Sequence, residues 1–420
     1  MKHCTPLTHC LACGSSDLIP TLDLNDQPLA NNFQKHAGVK DDDLWFPLAI
    51  NRCQDCDHLQ LTHAVDPEVI YKNYLYVSGT SQTYTEYMKW YAAFVSEQFT
   101  RHPPSTVLDI GCNDGSQLDA FAELGYDTYG VDPAENLYPV STAKGHKVTC
   151  GFWDDETMAG LDIQQFDVVT SQNAFAHIPD PLSYLKLVEK ILKPNGRMFI
   201  STSQADMIQN GEFDTIYHEH ISFYNVESMS KLAERAGLKL IDVVKTPIHG
   251  TSYIFILGKE PYPGGRFRLE NIMAMEYADG LHNGSTYRDW ADGVRELIDG
   301  LKEQVDLYRE WGYTIVGYGA AAKGMTLINA SNIHLDCVID DNPLKQGLYC
   351  PGTTIPVVGI DWLDNVTDPN EKIVFIPLAW NFYKEIKNKI LAKRKNAEDV
   401  FLRYFPELKS EVDPDNKTLV

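Results

Sequence analysis

The sequence predicts an α/β fold of two successive sheet-forming units, preceded by a cysteine-rich segment. Three observations indicate this fold. Apolar strand patterns alternate with helical patterns from residue 105 to about 259, the alternation resumes at residue 313, and two Cys-x-x-Cys pairs lie before residue 57. Such alternation is typical of parallel sheets with crossover helices. We therefore expect three domains, at residues 1–80, 81–259 and 260–420, with tyrosines concentrated at the end of the first.

The first α/β unit is marked by short apolar runs that are rich in β-branched and aromatic residues and read as buried strands. In order, these runs are Thr106-Val-Leu-Asp-Ile-Gly, Thr128-Tyr-Gly-Val-Asp, Phe166-Asp-Val-Val-Thr-Ser and Arg197-Met-Phe-Ile-Ser-Thr. A helical pattern from Tyr84 to Phe99 precedes them, and another begins at Ser116. The unit is therefore predicted to be a doubly wound parallel sheet.

The second α/β unit follows a break in the pattern at Glu260-Pro-Tyr-Pro-Gly-Gly, a composition that favours a linker. A long helical pattern comes next, interrupted near Asn283. Apolar runs that begin at Tyr313, Leu335 and Lys372 then predict the strands of a Rossmann-like sheet. The turn Gly317-Tyr-Gly after the first of these strands is compatible with a second nucleotide cofactor such as NAD, although a lone Gly-x-Gly is a weak signal.

Bulk properties exclude several classes of partner. The chain has 420 residues and a net charge of −22, which argues against binding to nucleic acid or to an anionic membrane. No apolar run approaches 18 residues, so we expect no membrane-spanning helix. The N-terminal residues Met-Lys-His-Cys-Thr-Pro lack the apolar core of a signal peptide, and this predicts a cytoplasmic protein.

The two cysteine pairs predict a metal site. Each pair places two thiols about one turn apart, which is the knuckle geometry of tetrahedral zinc sites. Four thiolates close the coordination shell, so the zinc is expected to be single and structural. The alternative is four unpaired cysteines. The predicted ligands are Cys10, Cys13, Cys53 and Cys56.

A strand, a glycine turn and a helix start follow one another at Val107-Leu-Asp-Ile-Gly-Cys-Asn-Asp-Gly115. Glycines let a ligand approach the backbone closely, and a helix N-terminus favours negative groups. Asp132, which ends the next strand, is placed to accept hydrogen bonds from ribose hydroxyls. A degenerate NAD-binding fold would share these features. The acidic residue before the first glycine resembles instead the first motif of class I methyltransferases, which bind S-adenosylmethionine.

That resemblance implies a class I methyltransferase Rossmann-like domain in the middle of the chain. Asp154 falls where such enzymes contact the adenine, and Lys193-Pro-Asn-Gly196 matches one of their later strands. The cofactor-binding residues expected from the resemblance are Asp109, Gly111, Asn113, Asp114, Gly115, Asp132, Asp154 and Asn173.

The segment Tyr217-His-Glu-His220 makes the resemblance more specific. With the cysteine pairs, it resembles the sugar C-methyltransferases that act on nucleotide-linked 4-keto-deoxysugars, such as the 3-C-methyltransferases of antibiotic-sugar pathways. The match runs over essentially the whole chain. It includes Tyr71-x-x-Tyr-x-Tyr76, Asn173-Ala-Phe-Ala-His177, Gly317-Tyr-Gly-Ala-Ala-Ala-Lys-Gly324 and Leu378-Ala-Trp-Asn381. One departure is His249-Gly-Thr-Ser-Tyr-Ile, where the family usually has an arginine.

The resemblance implies methyl transfer from S-adenosylmethionine to a ring carbon, C3, next to the ketone. A dTDP-sugar is the favoured substrate and a GDP-sugar the alternative. The catalytic residues that the resemblance implies are His220, Tyr217, Glu219, Tyr76 and His177. The C-terminal domain is expected to close the cleft over the substrate without redox chemistry.

Carbon methylation requires a base for the acidic C–H and donors for the enolate oxygen, and His220 is the natural base. Two other functions share much of this pattern. One is an O- or N-methyltransferase, which needs no enolate. The other is a non-catalytic protein that binds zinc and a nucleotide.

Overall fold

The computed structural model describes residues 3–40, 43–71, 77–80, 82–99, 105–203, 206–248, 250–260, 266–366, 368 and 370–412. The chain divides into two compact units. The first unit comprises Met1–Pro20, Ile50–Asp206 and Glu219–Asn283. The second unit comprises Thr21–Ala49, Met207–His218 and Gly284–Val420. The chain thus passes repeatedly from one unit to the other, and the three-domain boundaries stay a prediction from sequence.

Strands are numbered here in chain order. They are β1 (Cys4–Pro6), β2 (Leu18–Pro28), β3 (Trp45–Cys53), β4 (Leu59–Leu61), β5 (His63–Val65), β6 (Thr106–Ile110), β7 (Asp127–Asp132), β8 (Lys147–Cys150), β9 (Phe166–Gln172), β10 (Leu192–Thr202), β11 (Ser222–Phe223), β12 (Lys239–Thr246), β13 (Ser252–Gly258), β14 (Thr314–Tyr318), β15 (Cys337–Ile339), β16 (Val357–Val358), β17 (Ile373–Pro377), β18 (Val400–Arg403) and β19 (Lys409–Val412).

Helices follow the same convention. They are α1 (Pro67–Tyr71), α2 (Gln82–Glu97), α3 (Ser116–Glu123), α4 (Tyr138–Ala143), α5 (Asp155–Ala159), α6 (Pro181–Ile191), α7 (Met207–Asn210), α8 (Val226–Arg235), α9 (Arg266–Ala278), α10 (Gly284–Glu310), α11 (Ala322–Ser331) and α12 (Tyr383–Lys393). Short 3₁₀ helices lie at Ser78–Thr80, Phe175–His177, Ile360–Asn365 and Trp380–Phe382.

Within its described residues, the first unit is built on a seven-stranded sheet of order β12-β13-β10-β9-β6-β7-β8. The strands from β10 to β8 are parallel, and β13 runs antiparallel to both of its neighbours. The chain proceeds from β6 to β7 and β8 on one side, and β9 then pairs on the other side of β6. This reversal opens a crevice beyond the carboxyl ends of β6 and β9, where ligands bind in such sheets.

Both faces of this sheet are covered, which explains the nearly continuous apolar runs of its central strands. On one face, Tyr91 of α2 and Phe121 of α3 pack with Phe199 of β10. On the other face, Leu185 of α6 and Leu232 of α8 belong to a second apolar cluster. The four strands predicted from sequence are present as β6, β7, β9 and β10, and the expected α/β fold class is confirmed.

The second unit contains a six-stranded sheet of order β16-β15-β14-β17-β18-β19. Its strands are parallel except β19, which pairs antiparallel with β18. Buried side chains from β14, β15, β17 and β18 form its core with Ile386 and Ile390 of α12. The helical pattern predicted before this sheet is present as α9 and α10.

Two smaller sheets are also present among the described residues. Strands β1 and β5 form an antiparallel pair, and a four-stranded sheet has the order β11-β4-β3-β2. The division between the two units falls within β2 and β3. Among the described residues, no helix is both long enough and apolar enough to cross a membrane.

Candidate active site and metal centre

The four predicted zinc ligands come together in the first unit. Their sulfur atoms all lie within 4.8 Å of one another. Cys10 Sγ lies 3.6 Å from Cys56 Sγ, and Cys13 Sγ lies 3.5 Å from Cys53 Sγ. Tetrahedral zinc with Zn–S bonds of about 2.3 Å separates its sulfurs by about 3.8 Å. The donor set and its spacing therefore fit one zinc ion with a closed shell of four thiolates.

Backbone contacts hold both knuckles in place. The Gln60 side chain accepts a hydrogen bond from Leu11 N at 2.8 Å and donates one to His9 O at 3.0 Å. Arg235, at the end of α8, donates to Ala12 O at 2.6 Å, and Asn225 donates to Asp57 O at 3.0 Å. The Cys-x-x-Cys spacing gives no indication of these supports, because they come from distant parts of the chain.

Electrostatics agree with a cation at this position. Burial is the main factor that raises the pKa of Cys53, to about 12, and the nearby Cys10 sulfur raises it further. The hydrogen bond with Cys10 is the main factor that raises the pKa of Cys56. The same hydrogen bond lowers the pKa of Cys10 to about 4, so one thiolate forms readily and opposes the ionisation of its neighbours. A divalent cation removes that opposition because thiolates are its ligands.

The glycine turn that the sequence predicts after β6 is present and has a left-handed backbone. Gly111 has φ 88°, Asn113 φ 50° and Gly115 φ 77°. A Cβ added to Gly111 would lie 2.6 Å from the Ala174 Cβ, so a side chain is excluded where β6 and β9 end together. Gly111 N also donates to Val131 O at 2.8 Å, which fixes the turn against β7.

Asp132, at the end of β7, is joined to the same turn. Its carboxylate accepts hydrogen bonds from Asn113 N at 2.7 Å and from Ala134 N at 2.9 Å. Each oxygen has a further lone pair, so the carboxylate remains able to accept ribose hydroxyls. Burial is the main factor that raises the pKa of Asp132.

Two buried oxygens near this turn fit a polar ligand. Asp109 Oδ1 and Asn173 Oδ1 have no hydrogen-bond partner among the described residues. Burial, and then the charge of Asp132, raises the pKa of Asp109 to about 8. Buried polar atoms without partners are rare in folded proteins. These oxygens lie at the ends of β6 and β9, where the sequence predicts S-adenosylmethionine.

The other two predicted cofactor carboxylates make contacts with the backbone. Asp114 accepts hydrogen bonds from Gly79 N at 3.1 Å and from Ser116 Oγ at 2.8 Å, beside the start of α3. Asp154 caps α5 by accepting a hydrogen bond from Thr157 N at 2.8 Å. Contacts of Asp114 and Asp154 with a cofactor stay a prediction.

Asn173 continues the crevice beyond β9. It has φ 52°, and its Nδ2 donates to Tyr84 OH of α2 at 3.2 Å. Asn173 N also donates to Ser201 O at 2.9 Å, which joins the end of β9 to β10. Tyr84 was not predicted as a site residue, because its helix precedes the sheet in sequence and carries no motif.

Two predicted catalytic histidines lie side by side in the first unit. The His177 and His220 ring centroids are 5.2 Å apart, and the Tyr71 ring is stacked with His177 at a centroid distance of 5.8 Å. His177 Nε2 is buried and has no hydrogen-bond partner among the described residues. Burial lowers the pKa of His177 to about 4, so this imidazole is neutral at physiological pH.

The remaining predicted catalytic residues are distributed as follows. Glu219 and His220 are buried in the first unit. Tyr217 belongs to the second unit, and Tyr76 lies outside the described residues. His218, which the sequence gives no role, is buried in the second unit with Nε2 3.1 Å from Phe46 O.

Three family models match the chain. A zinc binding domain matches residues 10–71, a methyltransferase domain residues 82–243, and a C-methyltransferase C-terminal domain residues 247–406. Together they cover the zinc site, the glycine turn and five of the six strands in the sheet of the second unit.

Individual proteins show the same relationship. C-methyltransferase NovU of Streptomyces niveus is 30% identical over 395 residues, 91% of each chain. A ubiquinone biosynthesis O-methyltransferase of Coxiella burnetii is 29% identical over 171 residues, 37% of this chain and 72% of that one. An S-adenosylmethionine-dependent methyltransferase structure from Clostridium acetobutylicum has a TM-score of 0.33 and 16% identity, covering 41% of this chain and 91% of that one.

Only the C-methyltransferase among these three relatives spans nearly the whole chain, from the cysteine pairs to the second sheet. Two features agree with that match: the cluster of four cysteines, and the crevice beyond β6 and β9 with its available buried oxygens. The chain therefore belongs to the zinc-containing, S-adenosylmethionine-dependent C-methyltransferases.

Proposed function

We propose that this C-methyltransferase methylates a nucleotide-linked 4-keto-deoxysugar at the ring carbon next to the ketone, C3. A dTDP-sugar is the favoured substrate, with a GDP-sugar as the alternative. The observation that carries the proposal is the pair of adjacent imidazoles, His177 and His220, beyond the carboxyl end of β9. In this pair the proposed base is His220, because an imidazole can take a proton from carbon near neutral pH.

In the proposed reaction, His220 takes the proton from the carbon beside the ketone. The electron pair of that C–H bond becomes the enolate, whose oxygen accepts a hydrogen bond from the Tyr217 hydroxyl. S-adenosylmethionine supplies an electrophilic methyl group when bound. The enolate carbon then forms the new C–C bond while the sulfonium C–S bond breaks and leaves a neutral thioether. Positioning is expected to dominate the rate of this displacement.

The surroundings of His220 support its role as the base. His177 is neutral at physiological pH because burial lowers its pKa to about 4. It therefore adds no positive charge that would oppose protonation of its neighbour. Glu219 is proposed to orient His220 or to bind a hydroxyl or amine of the sugar. Tyr76 and His177 are proposed to contact the sugar.

The residues proposed to hold the cofactor surround the glycine turn. Asp132 would accept the ribose hydroxyls, while Asp109 and Asn173 provide buried oxygens that have no partner in the described part of the chain. The small residue at Gly111 leaves the backbone open to close approach. The zinc is proposed to be structural, because its four cysteines leave no open coordination position. The cytoplasmic location stays a prediction from the N-terminal sequence.

The substrate proposal is tested with the purified full chain, S-adenosylmethionine and a panel of nucleotide-linked sugars. Mass spectrometry should find a gain of one methyl group only for 4-keto sugars, with dTDP-sugars ahead of GDP-sugars. Without the methyl donor, the same sugars should take up solvent deuterium at the carbon that becomes methylated. Methylation of an acceptor that has no ketone would contradict the proposal.

A further inference from the structure

The segment that leads to Tyr217 is held by one side of the second unit. Trp290 Nε1 of α10 donates to Glu212 O at 3.1 Å, and Thr326 Oγ1 of α11 donates to Ile216 O at 3.2 Å. We call residues 212–216 the tether. These contacts fix the backbone at both ends of the tether, directly before Tyr217.

Asp214 anchors the middle of the tether. Its Oδ2 accepts hydrogen bonds from Trp380 Nε1 at 2.9 Å and from Tyr404 OH at 2.7 Å. The Asp214 side chain is 2% exposed. Two hydrogen-bond donors from the sheet side of the second unit therefore replace the water molecules that would hydrate an exposed Asp214. A buried carboxylate also requires a nearby positive charge, since its desolvation is otherwise costly.

Lys323, in the first turn of α11, supplies that charge. Its Nζ lies 3.7 Å from Glu212 Oε2 and 3.9 Å from Asp214 Oδ1, and 4.7 Å from the centre of the Trp380 ring. Burial is the main factor that raises the pKa of Glu212, while the charge of Lys323 lowers it. One ammonium group thus faces two buried carboxylates and an aromatic face.

The attraction between the Lys323 ammonium and the two carboxylates fixes the geometry of the tether. Lys323 Nζ is within ion-pair distance of both acids but within hydrogen-bond distance of neither. Without the ammonium, two buried carboxylates would repel one another in a region of low dielectric constant. The tether would relieve that repulsion by moving outwards, and Tyr217 would move with it.

We propose that Lys323 is a positioning residue, which acts through Asp214 and Glu212 to hold the tether and thereby the Tyr217 hydroxyl. This inference rests on the proposed function of Tyr217. Lys323 has no assigned contact with the acceptor, so its effect should appear in the backbone of the tether as well as in the reaction.

The test compares full-length Lys323→Met and Lys323→Arg with a control, Lys302→Met. Lys302 also pairs with an acid in the second unit, Asp306 at 2.9 Å, but on the exposed surface of α10. Hydrogen–deuterium exchange mass spectrometry should show backbone exchange in residues 212–218 accelerated about tenfold in Lys323→Met only. Deuterium uptake by the 4-keto sugar should fall about tenfold or more in parallel. Affinity for S-adenosylmethionine should change less than about twofold, because the cofactor residues belong to the first unit.

Two rescue variants distinguish the loss of a positioning charge from a general loss of packing. Lys323→Arg should recover most of the protection and of the sugar exchange, because it restores the charge. The double variant Lys323→Met with Asp214→Asn should also recover protection relative to Lys323→Met, because it removes one of the two repelling charges. If Lys323→Met is insoluble, the double variant takes its place in the comparison with the parent protein.

The inference is wrong if Lys323→Met leaves the protection of the tether unchanged, or if neither rescue restores it. It is also wrong if protection falls while sugar exchange stays normal. If the parent protein exchanges no 4-keto sugar, the proposed function fails, and the response of the tether to Lys323→Met still decides whether the charge pair holds it.

Discussion

Single residues at the crevice combine a hydrogen bond within the protein and an available polar atom. Asp132 accepts two backbone amides and has lone pairs to spare, and Asn173 donates to Tyr84 while its Oδ1 has no described partner. These hydrogen bonds hold the two side chains in place before any ligand arrives. Such preorganisation is what a displacement reaction requires, because its rate depends on alignment.

Asp132→Ala should weaken binding of S-adenosylmethionine by roughly 1 to 3 kcal/mol, because the ribose hydroxyls lose their acceptor and the glycine turn loses two hydrogen bonds. Isothermal titration calorimetry measures this directly. Asp155→Ala is the matched control, because Asp155 is an exposed acid in the same unit that pairs with Lys190. Equal affinity for S-adenosylmethionine in the two variants would show that Asp132 does not bind the cofactor.

His220→Asn should lower kcat about a hundredfold or more, as expected when a general base is removed, with nearly normal affinity for S-adenosylmethionine. Deuterium uptake by the sugar, followed by NMR, should fall in parallel. Tyr217→Phe is the informative partner variant. If it abolished uptake while His220→Asn kept full uptake, the tyrosine would be the base. If neither substitution slowed uptake, His177 and Tyr76 would be the next residues to test.

Sequence reasoning named much of this crevice because its residues lie in short motifs at the ends of strands. It did not name Tyr84, which holds Asn173. It named Tyr71 only within a family motif and gave no role to this ring, which stacks on His177. Tyr71 and His177 are 106 positions apart, and only the folded chain brings their rings together. Stacking and single hydrogen bonds of this kind leave no periodic pattern in a sequence.

At the scale of elements, α9 is joined to α8 by a buried carboxylate. Glu276 of α9 accepts a hydrogen bond from Val226 N, the first residue of α8, at 3.0 Å and another from Tyr253 OH at 2.8 Å. Burial is the main factor that raises the pKa of Glu276, to about 7. The carboxyl group therefore occupies the position that satisfies a free amide at a helix start.

Glu276→Gln should destabilise the protein less at high pH than at low pH. The folded-state pKa, about 7, exceeds the unfolded value, so the folded protein binds more protons between about pH 4.5 and 7. Its contribution to stability is present below that window and is lost as the pH rises through it. Glutamine does not ionise, so the difference in Tm between parent and variant should narrow from pH 5 to pH 8. A constant difference would contradict the raised pKa.

The zinc knuckles are also joined to α8, through Arg235 at its end and Asn225 at its start. Cys53→Ser should therefore lower Tm and increase hydrogen exchange in α8 as well as in the knuckles. Metal analysis of the parent protein should find one zinc per chain. Cys150→Ser is the matched control, because Cys150 is exposed and lies outside the cluster. If the parent protein had the same Tm with and without zinc, the structural role would be refuted.

Local patterns were sufficient for individual elements. The apolar runs predicted β6, β7, β9 and β10, and the break near Asn283 separates α9 from α10. Short strands such as β11 and β16 were not predicted, because two residues carry no period. The pairing of β4 with β11 also depends on contacts between distant segments.

At the scale of the whole molecule, the chain is divided in a way that the sequence did not predict. Residues 21–49 belong with the sheet of the second unit: Gln34 and Tyr349 form a β-bridge, and Gly38 N donates to Thr353 O at 2.9 Å. Residues 21–49 contain no cysteine, but they lie between the two cysteine pairs that belong to the first unit. Nothing local therefore indicates where this segment packs.

Truncation after residue 259, at a boundary that composition suggests, should give a poorly soluble protein. The shortened chain would retain Phe46 and Leu48, each 1% exposed in the intact protein, without most of the unit to which they belong. Soluble yield and binding of a hydrophobic dye measure the outcome. A control chain cut after residue 412 should remain soluble. A well-folded 1–259 fragment would show that residues 21–49 do not depend on the second sheet.

The interleaving of the two units has a consequence for synthesis on the ribosome. Gly284 follows Ala49 by 235 positions, so residues 21–49 leave the exit tunnel long before the sheet that they join. At ordinary translation speeds this delay is roughly 10 to 50 s. During that time the nascent chain exposes an apolar segment without its native neighbours. We therefore expect chaperones that bind growing polypeptides to bind this segment until the second sheet has been made.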